Sequence, residues 1–522
     1  MSRYGFRPRA LMLLMLTIVF VLSTSADGSG SRLLNSGEPT ITEIHSAMES
    51  GELTCQELVQ LYLDRIEAYD RKGPSLNSIV QVNKNALVEA IALDEKFLAG
   101  GFVGSLHCIP VIVKDNYDTV DMPTTAGSLS LAGSRPPNDA FQVSRIREAG
   151  AIVLAKSNMA EFAFSAYETL SSIVQGHTRN PYALDRVPAG SSGGTAAAVA
   201  ASFGSVGLGT DTGNSIRGPS SHTSLVGIRS TMGLTSRDGI VPLNLSRDIG
   251  GPMARTVADA VAVFDVIVGF DPADPITIAA QERPRMNYMD YLKKDGLQGK
   301  RIGVVRELIL DTADPDTIEL FDEALDDMRR KGAVVIDPVD IRNFNVNQNR
   351  IRGCNYFKFD LNNYLKSVYG ADQGLDLSSI IASRQFHPSI EKRLTDAEAI
   401  ELAPPDNPAC REVDARDAML RTNVRAAIEN NNVSVVVYPT WSNPPRLLGD
   451  LNSPHGNNSA KLSPPTGFPA ITVPMGFTRG RFPAGIQLLG LPWSEGTLIE
   501  VAYAYEQATM HRRPPSSVPS LE

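Results

Sequence analysis

Cysteine is scarce in this 522-residue chain: Cys55, Cys108, Cys354 and Cys410 are its four, and they stand far apart. No CxxC and no Cys/His ligand spacing occurs, which argues against a zinc site. Histidine is scarce too, with seven residues and none in a triad context. Neither H-E-x-x-H nor a Walker A loop is present, which removes two common routes to hydrolysis. Positive charge is in deficit: the net charge is −9, and no nucleic-acid partner is expected without a basic face. A long apolar run is missing as well. Ala10 to Leu22 falls short of the roughly 20 residues that a membrane span needs. No internal repeat is visible. Hydrophobic residues at 42% and charged residues at 20% fit a globular, enzyme-sized core and not general disorder.

Arg3, Arg7 and Arg9 precede the apolar run, and Thr24-Ser25-Ala26 and a polar segment follow it. That order is the one of a secretory signal peptide over residues 1–26, with cleavage after Ala26 and a secreted product. An uncleaved N-terminal membrane anchor is the alternative. Sequons at Asn244, Asn432 and Asn457 are compatible with a secreted glycoprotein.

From residue 27 on, the pattern alternates. Thr42 is placed to cap a short helix through Met48, and Thr54 with Glu57 forms a capping-box pattern. Asn85 to Leu98 and Asp139 to Ala149 read as further helices, the latter stopped by Gly150. Val111 to Val113 and Ala151 to Ala155 read as buried strands. Lys114 and Lys156 stand directly at their ends. Arg301–Val305, the helix opened by Asp314-Pro315 and Ala333–Ile336 form a βαβ unit. Thr256–Val268 and Glu495–Ala508 read as helices, and Val433–Tyr438, Ala470–Val473 and Ile486–Leu489 as strands. The Pro/Asp-rich segment 271–284 reads as a surface connector, and 346–430 as a helical insertion. An α/β fold follows, with residues 27–522 as a single domain around one large sheet.

The chemistry concentrates in residues 189–220, AGSSGGTAAAVAASFGSVGLGTDTGNSIRGPS. Small residues there let backbone approach backbone. Hydroxyls cluster at the two ends, as Ser191-Ser192 and as Thr210, Thr212 and Ser215, with a short Ala-rich helix and a strand between. Gly190 to Gly194 matches the G-x-S-x-G elbow around Ser192, but that elbow needs a strand directly before it. Here the irregular 180–188 segment stands instead. What remains is two serine clusters and a lysine. A desolvated lysine can be neutral near pH 7 and serve as a base. A second serine can relay the proton, because a hydroxyl donates and accepts at once. A Gly-containing turn can aim backbone N–H groups at an oxyanion. The residues alone leave Lys114 and Lys156 as rivals.

Lys114-Asp115-Asn116, Gly190-Ser-Ser-Gly-Gly194 and Gly209-Thr-Asp-Thr-Gly-Asn-Ser-Ile-Arg217 together resemble the amidase signature family in order and spacing. Asn180-Pro-Tyr182, Ile249-Gly-Gly-Pro-Met253 and Gly467 to Met475 extend the likeness over nearly the whole chain after residue 26. The resemblance implies a large mixed β-sheet flanked by helices on both faces. It implies Ser215 as nucleophile, Ser191 behind a cis peptide bond as relay, and Lys114 as base. It also implies an oxyanion hole from the backbone of Thr212, Gly213, Asn214 and Ser215. Ser192, Asp211 and Arg217 then become supporting residues, with Asp211 and Arg217 paired to each other. One departure stands out: Asn214 occupies a position where the family commonly has glycine. Asn tolerates φ > 0, and its side chain is expected to narrow the pocket.

A secreted amidase is therefore expected, converting a small amide to an acid and ammonia or an amine, with no metal and no cofactor, as a monomer or homodimer. The alternatives are a catalytically inactive scaffold, an esterase and a glutamine-hydrolysing amidotransferase subunit. Phe162, Phe164, Tyr167 and the segment 344–430 are candidates for an acyl pocket, but read first as ordinary core.

Overall fold

The computed structural model describes residues 1, 2, 5, 38–309, 312–344, 351–370 and 374–521. The leader expected over 1–26 falls almost wholly outside the described residues, as do 346–350 and 371–373 of the helical insertion.

One 11-stranded mixed sheet organises the chain. Its strands are β1 (Ile79–Val82), β2 (Pro110–Lys114), β3 (Ile152–Ser157), β4 (Val206–Asp211), β5 (Val226–Arg229), β6 (Ile249–Ala254), β7 (Arg301–Val304), β8 (Val334–Ile336), β9 (Val435–Pro439), β10 (Ala470–Thr478) and β11 (Phe482–Leu489). Across the sheet they run β1-β3-β2-β4-β6-β5-β10-β11-β9-β7-β8. The β3-β2-β4 and β8-β7-β9 triplets are parallel, and the remaining pairs are antiparallel. Every residue of β2, β3, β4, β6, β9 and β11 is buried. Side chains alternate between the faces of a strand, so burial at every position means that helices and loops cover both faces.

Two sequence boundaries move. The first helix among the described residues runs Ile41–Glu49 and is capped by Thr40, whose hydroxyl and backbone close a capping box with Glu43, so Thr42 lies inside it. β3 continues through Lys156 to Ser157 because β1, a strand with no clear signal of its own, pairs antiparallel with its end. The Thr54 capping box is in place at the start of the helix Cys55–Tyr69. The cysteines, whose pairing the sequence leaves open, form two disulfides, Cys55–Cys108 and Cys354–Cys410. Among the described residues no helix is long and apolar enough to cross a membrane, and no cluster of His, Cys, Asp or Glu could hold a metal ion.

The helix Gly193–Ala200 is buried at all its positions and packs on β2, β4 and β6. Its composition permits that depth. A Cβ on Gly194 would come within 2.1 Å of the Asn158 carbonyl oxygen, and one on Gly190 within 2.4 Å of the Glu168 carbonyl oxygen. Close backbone approach thus requires glycine at both ends of the serine turn.

Candidate active site

β2 and β4 are neighbours, and their C-terminal ends carry Lys114 and Thr210–Asp211 side by side. Lys114 has no solvent exposure. Its Nζ lies 2.7 Å from Ser191 Oγ and 2.7 Å from Thr210 Oγ1, with the Thr210 carbonyl at 3.5 Å. Burial pushes its pKa down from 10.5 to about 7, against the pull of Asp211 and Asp248. Asn116 Nδ2 donates to the same Thr210 hydroxyl at 3.1 Å and fixes its position.

Ser191 follows the cis Gly190–Ser191 peptide bond. Ser192 behaves differently from its neighbour. Its Oγ donates to the Thr210 carbonyl and accepts from the Thr210 N–H, and its own N–H donates to the Ser215 carbonyl at 3.3 Å. The Ser192 hydroxyl is thus occupied in fastening the turn to β4.

Ser215 sits in the turn between β4 and the short helix Arg217–His222. Its side chain makes no hydrogen bond among the described residues, and the residue lines a cavity of about 1,230 Å³. The N–H groups of Gly213, Asn214 and Ser215 have no acceptor among the described residues. A Cβ built on Gly213 meets nothing within 4 Å, so open space lies beside the turn. Backbone donors around a vacant, walled space are what an oxyanion requires.

The turn is braced from behind. Arg217 grips Asp211 through two contacts, at 3.0 Å and 3.2 Å, and its Nη2 also donates to the Gly213 carbonyl at 2.9 Å. Arg229 donates to the Asp211 carbonyl and to its carboxylate. Burial pushes the Asp211 carboxyl up, but the two guanidiniums outweigh it and leave its pKa below the ordinary value. Thr212 Oγ1 donates to Asp248, whose other carboxylate oxygen takes the Leu243 and Asn244 N–H groups.

Asn214 is 1% exposed, and its backbone φ is not positive. Asn214 lines the cavity, and its side-chain amide is held by two partners. Nδ2 donates to the Gly190 carbonyl at 2.9 Å, and Oδ1 accepts from Asn457 Nδ2 at 3.0 Å. Asn457 in turn accepts from Ser459 Oγ at 2.8 Å, and Arg217 Nη1 donates to the Ser459 carbonyl at 2.8 Å. This chain of bonds ties the Ser215 turn to the peptide that carries Ser191. It also buries the Asn457 sequon.

Lys156 is equally buried, but its Nζ faces the Tyr117 and Pro123 carbonyls, the Thr119 and Thr124 hydroxyls and, at 3.8 Å, Asp115. Among the described residues no serine hydrogen-bonds to it. The core reading of the aromatics holds for Phe162, which packs among Met159, Leu361 and Leu394. Phe164 is buried in the same cluster and also faces the cavity, whereas Tyr167 is only half-buried and lies outside the core. They form part of the 1,230 Å³ cavity together with residues 351–357 and with Ser389, Lys392, Arg393 and Arg416 of the helical segment. Cys354 belongs to that wall, and its disulfide to Cys410 moors it to the helix Pro408–Asn430. Sequence reasoning missed Arg229, Asp248 and Asn457 as contributors. Arg229 is an isolated charge at the end of a strand, and nothing marks the other two before the chain is folded.

Known proteins match this chain over most of its length. A family model described as Amidase matches residues 57–499. A probable amidase of Arabidopsis thaliana is 36% identical, over 99% of each chain. A glutamyl-tRNA(Gln) amidotransferase subunit of Carboxydothermus hydrogenoformans is 33% identical, over 90% of this chain and 96% of its own. The crystal structure of the native peptide amidase from Stenotrophomonas maltophilia superposes with a TM-score of 0.83 at 38% identity, covering 92% of this chain and 98% of that one.

Proposed function

The chain belongs to the amidase family and is an amide-hydrolysing enzyme, and from that premise we propose that it works through a Ser215–Ser191–Lys114 relay. The observation that carries this reading is the 2.7 Å contact between Ser191 Oγ and a fully buried Lys114 amine with a pKa near 7. A neutral amine keeps its two hydrogens on the Thr210 hydroxyl and carbonyl and turns its lone pair to Ser191. Ser191 gives its proton to Lys114 and takes the proton of Ser215. Ser215 Oγ then bonds to the amide carbon, while the N–H groups of the 212–215 turn receive the oxyanion. As the C–N bond breaks, the relay returns the proton to the leaving nitrogen. Water, deprotonated along the same path, cleaves the Ser215 ester and releases the acid.

The substrate in this reading is a carboxamide with a sizeable acyl part, which the 1,230 Å³ cavity admits. The peptide amidase neighbour makes peptide amides the first class to assay. Export through the 1–26 leader is part of the proposal, and two disulfides with no free cysteine among the described residues support an oxidising compartment. N-terminal sequencing of the mature protein tests the cleavage after Ala26.

Ser215→Ala tests the mechanism. Activity on short peptide amides should fall by on the order of 10⁴-fold or more, with an unchanged melting temperature and loss of fluorophosphonate labelling. Wild-type turnover by the variant would overturn it.

A further inference from the structure

The segment after Gly269 does not simply cross the surface. It folds back to border a second, open-sided cavity of about 520 Å³ against the helix Phe141–Glu148, the end of the helix Val257–Ile267 and Trp493, with Gln281, Arg283 and Arg285 exposed at its rim. That volume lies within the roughly 300–1,000 Å³ typical of small-molecule sites. None of its lining residues belongs to the Ser215 cavity. Phe141, Leu234, Phe270, Met286 and Trp493 make its walls largely apolar. Three guanidinium groups, from Arg145, Arg283 and Arg285, join them, and no Asp or Glu lines the space among the described residues.

This local charge runs against that of the whole chain, which has 58 acidic and 49 Lys and Arg residues. The three arginines are not equivalent. Arg145 is turned to the protein, with Nε donating to the Val266 carbonyl and Nη1 3.4 Å from Glu148. Arg283 lies over the Trp493 ring at 4.3 Å. The Arg283 side chain is exposed and makes no hydrogen bond or salt bridge among the described residues, and the buried Glu495 carboxylate behind it is within electrostatic reach; a guanidinium so placed can donate to an anion. Arg285 is exposed and makes no hydrogen bond or ion pair among the described residues. An apolar chamber with two presented guanidiniums complements one chemistry: an apolar body with a single anionic head.

We propose that this cavity binds a free amphiphilic carboxylate, its chain between Phe141, Phe270 and Trp493 and its head on Arg283 and Arg285. A cationic amphiphile of the same length is rejected, because its head would sit against like charge.

Calorimetric titration of dodecanoate, below its micellar concentration, into the full-length Ser215→Ala protein tests this. One saturable site is expected, at least tenfold weaker for dodecyltrimethylammonium. Binding should weaken at least tenfold in R283A/R285A and vanish when Ala280→Phe fills the chamber. The chain has two tryptophans, so fluorescence locates the site: quenching should persist in W441F and disappear in W493F. Binding that ignores the sign of the head group, or that survives both R283A/R285A and A280F, would overturn the proposal. So would association with phosphatidylglycerol vesicles and not with the free acid.

Discussion

Two lysines lie on adjacent strands of the same sheet, both with no solvent exposure, and their surroundings differ in kind. Lys114 closes β2 and Lys156 is the penultimate residue of β3. Burial lowers the pKa of both. Around Lys156 the partners are two carbonyls, a carboxylate and two threonine hydroxyls that themselves donate to the Met122 and Tyr117 carbonyls, an environment that binds an ammonium and ends in backbone acceptors. Around Lys114 the short contacts are hydroxyls, and one of them belongs to Ser191. Desolvation alone therefore does not make a base. In the proposed mechanism it makes one where the nearest group can pass a proton on.

The largest test of this contrast is Lys114→Ala. It should lower kcat/KM by about 10³-fold or more at pH 8, the scale of losing a general base together with its relay, while the thermal midpoint stays close to the wild type. Lys156→Met should do the reverse. It leaves the buried Asp115 without its cation, a loss of about 3–5 kcal/mol, read as a lower denaturation midpoint with little change in kcat for the folded fraction. A catalytic collapse in Lys156→Met without destabilisation would break the contrast.

Asn214→Ala removes the bond to the Gly190 carbonyl. It should reduce kcat by about 10- to 100-fold with KM nearly unchanged, since the tie positions the relay peptide and not the substrate. Steady-state kinetics on one amide separates the two parameters. The pH profile gives the finest distinction. The Lys114 amine accepts a proton only when neutral, so kcat/KM should rise with pH through about 7 and level off above it. That limb should stay in place in Lys156→Met.

The candidate site was legible to the extent that the residues the structure brings together occupy short local motifs. Lys114, Ser191 and Ser215 each sit in a few residues of distinctive composition, and the capping box at Thr54 needs only Glu57. Contacts between distant residues left no such mark. Asn457 meets Asn214 across 243 residues of sequence, and Arg229 reaches Asp211 from the other side of β6. Asn214 was read by its backbone tendency and its bulk, and the structure adds what its amide bridges, Gly190 and Asn457. β1 escaped notice because four residues that gain order by pairing with β3 carry too little pattern of their own. Residues 271–284 looked like a connector because their polarity is real, while the apolar partners that make them a wall, Phe141 and Trp493, lie far away in the chain.

The buried amide of Asn457 has a consequence for the order of events in the life of the chain. The nitrogen that an N-linked glycan would occupy is the same nitrogen that holds Asn214. A sugar attached there before folding would stop the two halves of the site from closing, and a folded molecule presents nothing for a transferase to modify. Of the three sequons, Asn432, at the end of the helix Pro408–Asn430 and away from the site, carries no such conflict. Glycosylation at Asn457, were the chain exported as proposed, would compete with the tie to Asn214 for one atom.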